Sequence, residues 1–148
     1  MATIKTLPVG SVGTMETTIT EAEVLHFAQA TGDFCPLHMN EEFAQTTRFG
    51  HRIAHGLLVS NHVSTVMGMT MPGAGTIHME ETAKFLKPTF LGDTITVTVT
   101  LVSAVEKTNC YIGTLEGTCV NQRGETVATV SAKQMLPKDF FTVPGATH

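Results

Sequence analysis

Residues 56–69 read GLLVSNHVSTVMGM, and this stretch decides the fold. Its apolar residues, at 57–59, 63, 66, 67 and 69, are spread around most of a helical circumference. That distribution predicts a helix that is buried on nearly all sides. The polar residues at 60, 61, 64 and 65 must then find hydrogen-bond partners inside the fold.

C-terminal to this helix the apolar period changes to two. Residues 93–101 read DTITVTVTL, with an apolar side chain at every second position, which predicts a strand with one buried face. Further strands are predicted at about 75–86, 109–120 and 125–136, with a turn between the last two.

N-terminal to the central helix the sequence predicts two more helices. A T-x-x-E capping box at 20–23 begins the first helix, which ends at Gly32, and Asn40 caps a short second one. The intervening residues 33–38, DFCPLH, are predicted as loop because Pro36 disfavours helix for itself and for the residue before it.

Helices followed by a run of antiparallel strands indicate the α+β class. We therefore expect a single domain over residues 1–148, in which a curved antiparallel sheet wraps around the central apolar helix. One small curved sheet leaves an exposed edge and flank, so the sequence also predicts a homodimer or higher even oligomer.

Composition excludes several classes of protein. Hydrophobic residues make up 42% and charged residues 15%, as in a globular domain that needs no disulfide or metal to fold. The net charge of −4 argues against a nucleic acid or an anionic membrane as partner. Three cysteines without a C-x-x-C pair, and an N-terminus without an apolar signal region, predict a cytoplasmic protein.

Asp33 and His38 are the first candidates for chemistry. They lie five residues apart on a Pro-constrained segment just past a helix end, where both side chains can converge. A carboxylate and an imidazole that share one water form an acid/base pair near neutral pH. Spacing alone favours the alternative in which Asp33 caps a turn and His38 packs at the surface.

Gly56 is the second candidate, because it opens the central helix. A glycine there allows close approach of a ligand, and its N–H lies at the positive end of the helix dipole. A thioester carbonyl bound to that N–H would have its enolate form stabilised, as in an oxyanion hole. An ordinary N-terminal glycine explains the residue equally well.

Three motifs occur in a characteristic order. They are FAQATGDFCPLH at 27–38, RIAHGLLVS at 52–60, and MPG at 71–73 followed by FLKPTFLGD at 85–93. Their order and spacing, over nearly half of the chain, resemble the MaoC-like hydratases, which include the R-specific 2-enoyl-CoA hydratases.

The resemblance implies a hot-dog fold, usually a homodimer with the acyl chain in a tunnel near the interface. It implies that Asp33 and His38 are the catalytic pair and that Gly56 donates its N–H to the thioester carbonyl. Ser64 matches the family's active-site serine, which hydrogen-bonds near the pair. One position departs from the family, which usually has Asn where this chain has Cys35.

Further candidates for substrate binding are Cys35, His55, Lys84 and Lys87. The lysines could contact CoA phosphates, although lysines on a strand more often face solvent. Histidines at 51, 55 and 62 do not favour a zinc site, because HRIAH lacks the glutamate of H-E-x-x-H. We expect neither a metal nor a cofactor.

The function expected from the sequence is the hydration of a trans-2-enoyl thioester to the R-3-hydroxyacyl thioester, or the reverse, on CoA or a carrier protein. One member of the Asp33/His38 pair takes a proton from water as oxygen attacks C3, and the other delivers a proton to C2. Two alternatives stay open. One is a thioesterase, in which activated water attacks the carbonyl carbon; a covalent mechanism through the Cys35 thiolate is not favoured, because Asp33 and His38 already form a complete water-activating pair. The other is a non-catalytic module that binds acyl thioesters.

Overall fold

The computed structural model describes residues 3–148. The elements in chain order are β1 (Lys5–Thr6), β2 (Val12–Thr18), α1 (Glu21–Thr31), α2 (Pro36–Met39), α3 (Glu41–Gln45), α4 (Gly56–Met69), β3 (Ile77–Phe85), β4 (Thr94–Glu106), β5 (Cys110–Asn121), β6 (Thr126–Pro137) and β7 (Phe141–Thr142). No helix within residues 3–148 has the length and apolar character to cross a membrane.

Five strands form one antiparallel sheet in the order β2-β4-β5-β6-β3, while β1 and β7 form a separate parallel pair. The predicted α+β class and the four long strands are confirmed. The prediction that helices come first is wrong, because β1 and β2 precede α1. The apolar signal of β2 is weak because it is an edge strand in which only Gly13 is fully buried.

Helix α4 lies across the sheet and contacts β2, β4, β5 and β6. The approach is closest at Gly117, where a Cβ atom would lie only 2.6 Å from Cγ1 of Val63. The predicted central helix is therefore confirmed. The prediction that it is buried on nearly all sides is wrong for the single chain, since Leu57 is 63% exposed and Met69 80% exposed.

Strand β3 forms one edge of the sheet and pairs only with β6 within residues 3–148. All of its residues except Ala83 are exposed. Its exposed residues include the apolar side chains of Ile77, Met79 and Phe85. An unpaired strand edge with apolar side chains is a surface that proteins normally cover.

A buried carboxylate joins the turn after β5 to the segment before β4. Asp93 accepts hydrogen bonds from the Phe90 N–H, from Nε2 of Gln122 and from both terminal nitrogens of Arg123. Burial opposes ionisation of Asp93, but the hydrogen bonds from Arg123 and Gln122 outweigh it and lower the pKa of this carboxyl. The motif residue Asp93 thus has a structural role.

Candidate active site

The segment that carries Asp33 begins where α1 ends. Gly32 terminates α1 in the left-handed conformation, with φ of 80°, and its N–H donates to the Ala28 carbonyl. The Asp33 carboxylate then accepts a hydrogen bond from the Cys35 N–H, with 3.2 Å between nitrogen and Oδ1. This local turn leaves the Asp33 side chain exposed in the single chain.

His38 lies on α2, so the prediction of loop through residue 38 is wrong at its C-terminal half. Pro36 occupies the first turn of α2. Proline is tolerated there because its φ suits a helix and the missing N–H would have had no intrahelical acceptor. Asn40 ends this short helix and caps α3, as predicted, by accepting the Phe43 N–H.

The two nitrogens of the His38 ring have different environments. Nδ1 lies 2.8 Å from the Ile53 carbonyl oxygen. Since a carbonyl only accepts, Nδ1 carries the proton in the neutral ring and Nε2 has the free lone pair. Burial lowers the pKa of His38, and its hydrogen bond to Ile53 only partly offsets that effect.

Asp33 and His38 are close enough to share a water. A carboxylate oxygen of Asp33 lies within 4.8 Å of a ring nitrogen of His38. One water with two hydrogen bonds of about 2.8 Å bridges roughly that separation. The predicted convergence of the pair is therefore compatible with the structure, and the catalytic role of the pair stays a prediction.

Arg52, which the sequence analysis did not single out, fixes the main chain of His38. Its Nε–H donates to the His38 carbonyl at 2.7 Å, and Nη1 donates to Glu21 at 2.9 Å. The Arg52 side chain is only 13% exposed. The residue is present in the R-I-A-H-G motif, but only the folded chain reveals that it joins α1 and α2.

His55 is placed differently from its prediction. It is 2% exposed and does not line the cleft described below. Its Nε2 lies 2.9 Å from the Asp33 carbonyl oxygen. Its ring packs in a tilted arrangement against the His38 ring and the Phe27 ring, with 4.1 Å and 4.7 Å between centroids. His55 is therefore buried behind the cleft, and its role as a substrate-binding residue stays a prediction without a contact to the cleft.

Gly56 opens α4 at the wall of an apolar cleft of about 420 Å³. The N–H groups in the first turn of a helix have no intrahelical acceptor. The side chain of the N-cap residue, His55, does not accept from them either, so they remain free for a ligand. A Cβ atom at position 56 would lie 2.8 Å from the Phe85 ring. Only glycine fits under this ring without displacing it.

The cleft contains some of the predicted site residues and not others. Its lining consists of His38, Arg48, Phe49, Ile53, Ala54, Gly56, Leu57, Val59, Phe85, Leu86, Lys87, Pro88, Thr89, Val127 and Ala128. His38 and Gly56 therefore both line the cleft. Neither Asp33 nor Ser64 lines it. The Ser64 hydroxyl makes no hydrogen bond to any residue of 3–148, so its supporting role remains a prediction without a contact.

The cationic residues near the cleft differ in whether they line it and in whether they are paired with a carboxylate. Lys84 is exposed on β3 and does not line the cleft. Lys87 lines it, but its Nζ lies 2.7 Å from Glu125, and this contact is the largest of the effects that lower the pKa of Glu125 to about 2. Arg48 lines the cleft beside Phe49 and forms no ion pair with a carboxylate of residues 3–148. Arg48 is therefore the cation of the cleft most available to a ligand.

Within residues 3–148, Asp33, His38 and His55 form a group that could offer three ligands to a metal. Three protein ligands suffice for a catalytic zinc. However, Nδ1 of His38 and Nε2 of His55 face main-chain carbonyl oxygens at 2.8 Å and 2.9 Å. These two nitrogens carry protons and are not available to an ion. The absence of a metal stays an expectation from the sequence.

Comparison with known proteins gives consistent matches. Residues 5–121 match the family model described as a MaoC like domain. An (R)-specific enoyl-CoA hydratase of Rhodospirillum rubrum is 38% identical over 128 residues, which cover 86% of this chain and 87% of the relative. A mitochondrial 3-hydroxyacyl-[acyl-carrier-protein] dehydratase of Solanum lycopersicum is 32% identical over 138 residues, or 93% of this chain and 82% of the relative.

Among solved structures, the (R)-hydratase from A. caviae involved in PHA biosynthesis matches with a TM-score of 0.81 and 33% identity. The match covers 87% of this chain and 96% of the hydratase. The fold predicted from the three motifs is thereby confirmed.

Proposed function

Because the chain belongs to the family of MaoC-like domains, we propose that it catalyses the reversible addition of water to a trans-2-enoyl thioester, which gives the R-3-hydroxyacyl thioester. One arrangement supports this activity above all. The Asp33 carboxylate and a His38 nitrogen lie within reach of one water, and His38 shares an apolar cleft with the start of α4. Relatives over most of the chain length are named as hydratases and dehydratases.

The hydrogen bonds of His38 suggest which group takes the proton. Because Nδ1–H faces the Ile53 carbonyl and the pKa of His38 is lowered, the ring is neutral at pH 7 with its lone pair on Nε2. Nε2 accepts a proton from the water as the oxygen bonds to C3, while the Asp33 carboxylate orients that water by accepting its second hydrogen. The C2–C3 π electrons move to the thioester, which becomes an enolate.

The enolate then has to be stabilised and protonated. The Gly56 N–H, at the positive end of α4, is proposed to donate to the thioester oxygen as it gains negative charge. The His38 imidazolium returns its proton to C2 on the same face, so the site regains its starting protonation state. The thioester itself acidifies C2, and the proposal therefore includes no metal or cofactor.

The carrier arm of the substrate is proposed to be CoA or the phosphopantetheine of a carrier protein. Relatives of both kinds are named, and both arms contain phosphate. Arg48 is the proposed phosphate contact, in place of Lys84 and Lys87, because it lines the cleft without a carboxylate partner in the described part of the chain. Arginine binds phosphate with two parallel hydrogen bonds.

We also propose a homodimer, in which the exposed edge and apolar side chains of β3 are covered by a second copy. The exposure of Asp33 in the single chain supports this, since a hydration site benefits from exclusion of bulk water. A cytoplasmic location is proposed because Cys35, Cys110 and Cys119 are all free thiols, as expected in a reducing compartment.

The activity can be tested with crotonyl-CoA. Hydration removes the conjugated double bond, so the absorbance of the enoyl thioester falls, and chiral analysis should identify the R-3-hydroxy product. A thiol reagent in a parallel reaction should detect no free CoA. Release of free thiol at the rate of the absorbance change would instead indicate a thioesterase, and an unchanged absorbance across short and long enoyl thioesters would refute the proposed activity.

A further inference from the structure

His55 lies directly behind the candidate pair without reaching the cleft. Its side chain is 2% exposed and contacts both partners. Nε2 donates to the main-chain carbonyl of Asp33 at 2.9 Å, and the ring packs against that of His38 with 4.1 Å between centroids and 35° between ring planes. Among the described residues, His55 is a single side chain that touches both members of the pair.

The hydrogen bond of His55 has a fixed direction. The Asp33 carbonyl oxygen can only accept, so the proton of His55 is on Nε2. Nδ1 is buried and has no hydrogen-bond partner among residues 3–148. A buried imidazole with one unused nitrogen sacrifices a hydrogen bond, which is uncommon without a compensating role.

The other hydrogen bonds of this region each hold only one member of the pair. Arg52 and Ile53 both bind His38, through its carbonyl and its Nδ1 respectively. Neither of them forms a hydrogen bond with Asp33 within residues 3–148. The Asp33 side chain is exposed and accepts a hydrogen bond only from the Cys35 N–H, at 3.2 Å. The local turn therefore fixes the position of the carboxylate only weakly. His55 provides the connection that Arg52 and Ile53 lack.

We propose that His55 is a positioning residue for the Asp33/His38 pair, because its Nε2–H holds the main chain of Asp33 while its ring supports the ring of His38. This inference rests on the proposed hydratase function for its kinetic consequence. His55 takes no part in proton transfer and does not touch the substrate. It keeps the Asp33 carboxylate and the His38 imidazole at the separation that one water can bridge.

Two substitutions separate the hydrogen bond from simple packing. In His55→Gln the side-chain amide places an N–H donor where the imidazole Nε2 lies, whereas His55→Leu fills the space without a donor. His26→Gln, on the exposed face of α1, is the matched control. Circular dichroism and thermal unfolding of each variant monitor the fold.

With crotonyl-CoA as substrate, His55→Leu should lower kcat by on the order of 10–100-fold, since small displacements of catalytic groups are costly in this range. KM should change less than threefold (a rough bound), because the cleft wall is unaltered and only transition-state geometry is lost. His55→Gln should recover most of the lost kcat. Equal losses in both variants, a loss confined to KM, or unchanged kcat in His55→Leu would overturn the proposal.

A second measurement does not depend on the variants or on activity. Two-bond 1H–15N correlation spectra of the wild-type protein distinguish the two histidine tautomers. His55 should show a protonated Nε2 and an unprotonated Nδ1, and a protonated Nδ1 would overturn the proposed contact. If the wild type hydrates no enoyl thioester, the proposed function fails, and the tautomer still decides whether His55 holds Asp33.

Discussion

At the scale of single residues, the candidate site depends on how hydrogen-bonding capacity is divided. His38 uses Nδ1 on the Ile53 carbonyl and keeps Nε2 free. Asp33 accepts the Cys35 N–H with one oxygen and, in the proposed mechanism, holds the water with the other. Each member of the pair is thus oriented by the main chain and has one atom left for the proposed chemistry.

We expect His38→Ala and Asp33→Asn each to lower kcat by about 10²–10⁴-fold, which is the usual contribution of a positioned acid or base. Both substitutions are small changes near the surface, so the fold should survive. Initial rates with crotonyl-CoA, together with circular dichroism of each variant, provide the measurement. A variant with near-normal turnover would remove its residue from the mechanism.

The lowered pKa of His38 predicts the pH dependence. A base whose pKa is depressed stays deprotonated as the pH falls through its ordinary value of 6.5. The acidic limb of kcat/KM, which reports the free enzyme, should therefore have its midpoint below 6.5. A midpoint above that value would contradict the assignment of His38 as the base.

Cys35 differs from the asparagine that the family usually has, and its contact to Asp33 is made by the main chain. The thiol is exposed, and only the Cys35 N–H is bonded to the carboxylate. We therefore expect Cys35→Ala to retain most of the hydratase activity. Loss of turnover in this variant, combined with acylated Cys35 in the mass spectrum of the wild type, would support covalent catalysis instead.

The motifs pointed to candidate residues, but not to the contacts between them. Asp33 and His38 lie close together as expected, and Gly56 lines the same cleft as His38, while their catalytic roles stay predictions. The burial of His55 and the contacts of Arg52 result from packing between residues 14 to 31 positions apart in sequence. Such contacts have no local periodicity, so the sequence did not reveal them.

At the scale of elements, strong periodicity was informative and short elements were not. The 14-residue helix α4 and the long strands have enough residues to display a period. Strand β1 has two residues and α2 has four, which is too short for any pattern. The prediction for α2 failed because proline has opposite effects in the interior of a helix and in its first turn.

The contact between α4 and β5 should tolerate no extra atom at Gly117. Because a Cβ there would lie 2.6 Å from Val63, Gly117→Ala should overpack the core and cost about 1–3 kcal/mol of unfolding free energy. Urea denaturation measures the loss. Val63→Ala in the same chain should relieve part of it, and a fully additive double variant would show that the two positions do not compete for space.

At the scale of the whole molecule, the two edges of the sheet differ in character. The apolar side chains of Ile77, Met79 and Phe85 are about half exposed on β3. Phe85 also lines the apolar cleft, as does the exposed side chain of Leu57. The other edge, β2, is mostly threonine and glutamate, with Val12 as its exposed apolar residue. The proposed dimer therefore uses β3.

A negative charge on the β3 edge should dissociate the proposed dimer. We expect Ile77→Asp to shift the mass measured by light scattering from dimer to monomer at micromolar concentration, because a buried unpaired carboxylate is costly. The matched control is Val12→Asp, which removes a similarly exposed apolar residue from the opposite edge and should remain dimeric. A monomeric wild type, or dissociation only in Val12→Asp, would contradict the β3 interface.

The parallel pairing of β1 with β7 has a consequence for synthesis on the ribosome. Lys5 lies opposite Phe141, so β1 waits on the ribosome for all of β2 to β6 to be translated before its partner strand exists. At roughly 5–20 residues per second this wait is on the order of ten seconds. Leu7, whose N–H donates to Thr142, cannot be enclosed in the nascent chain earlier than that. Translation therefore reaches Thr142 before the native structure can close.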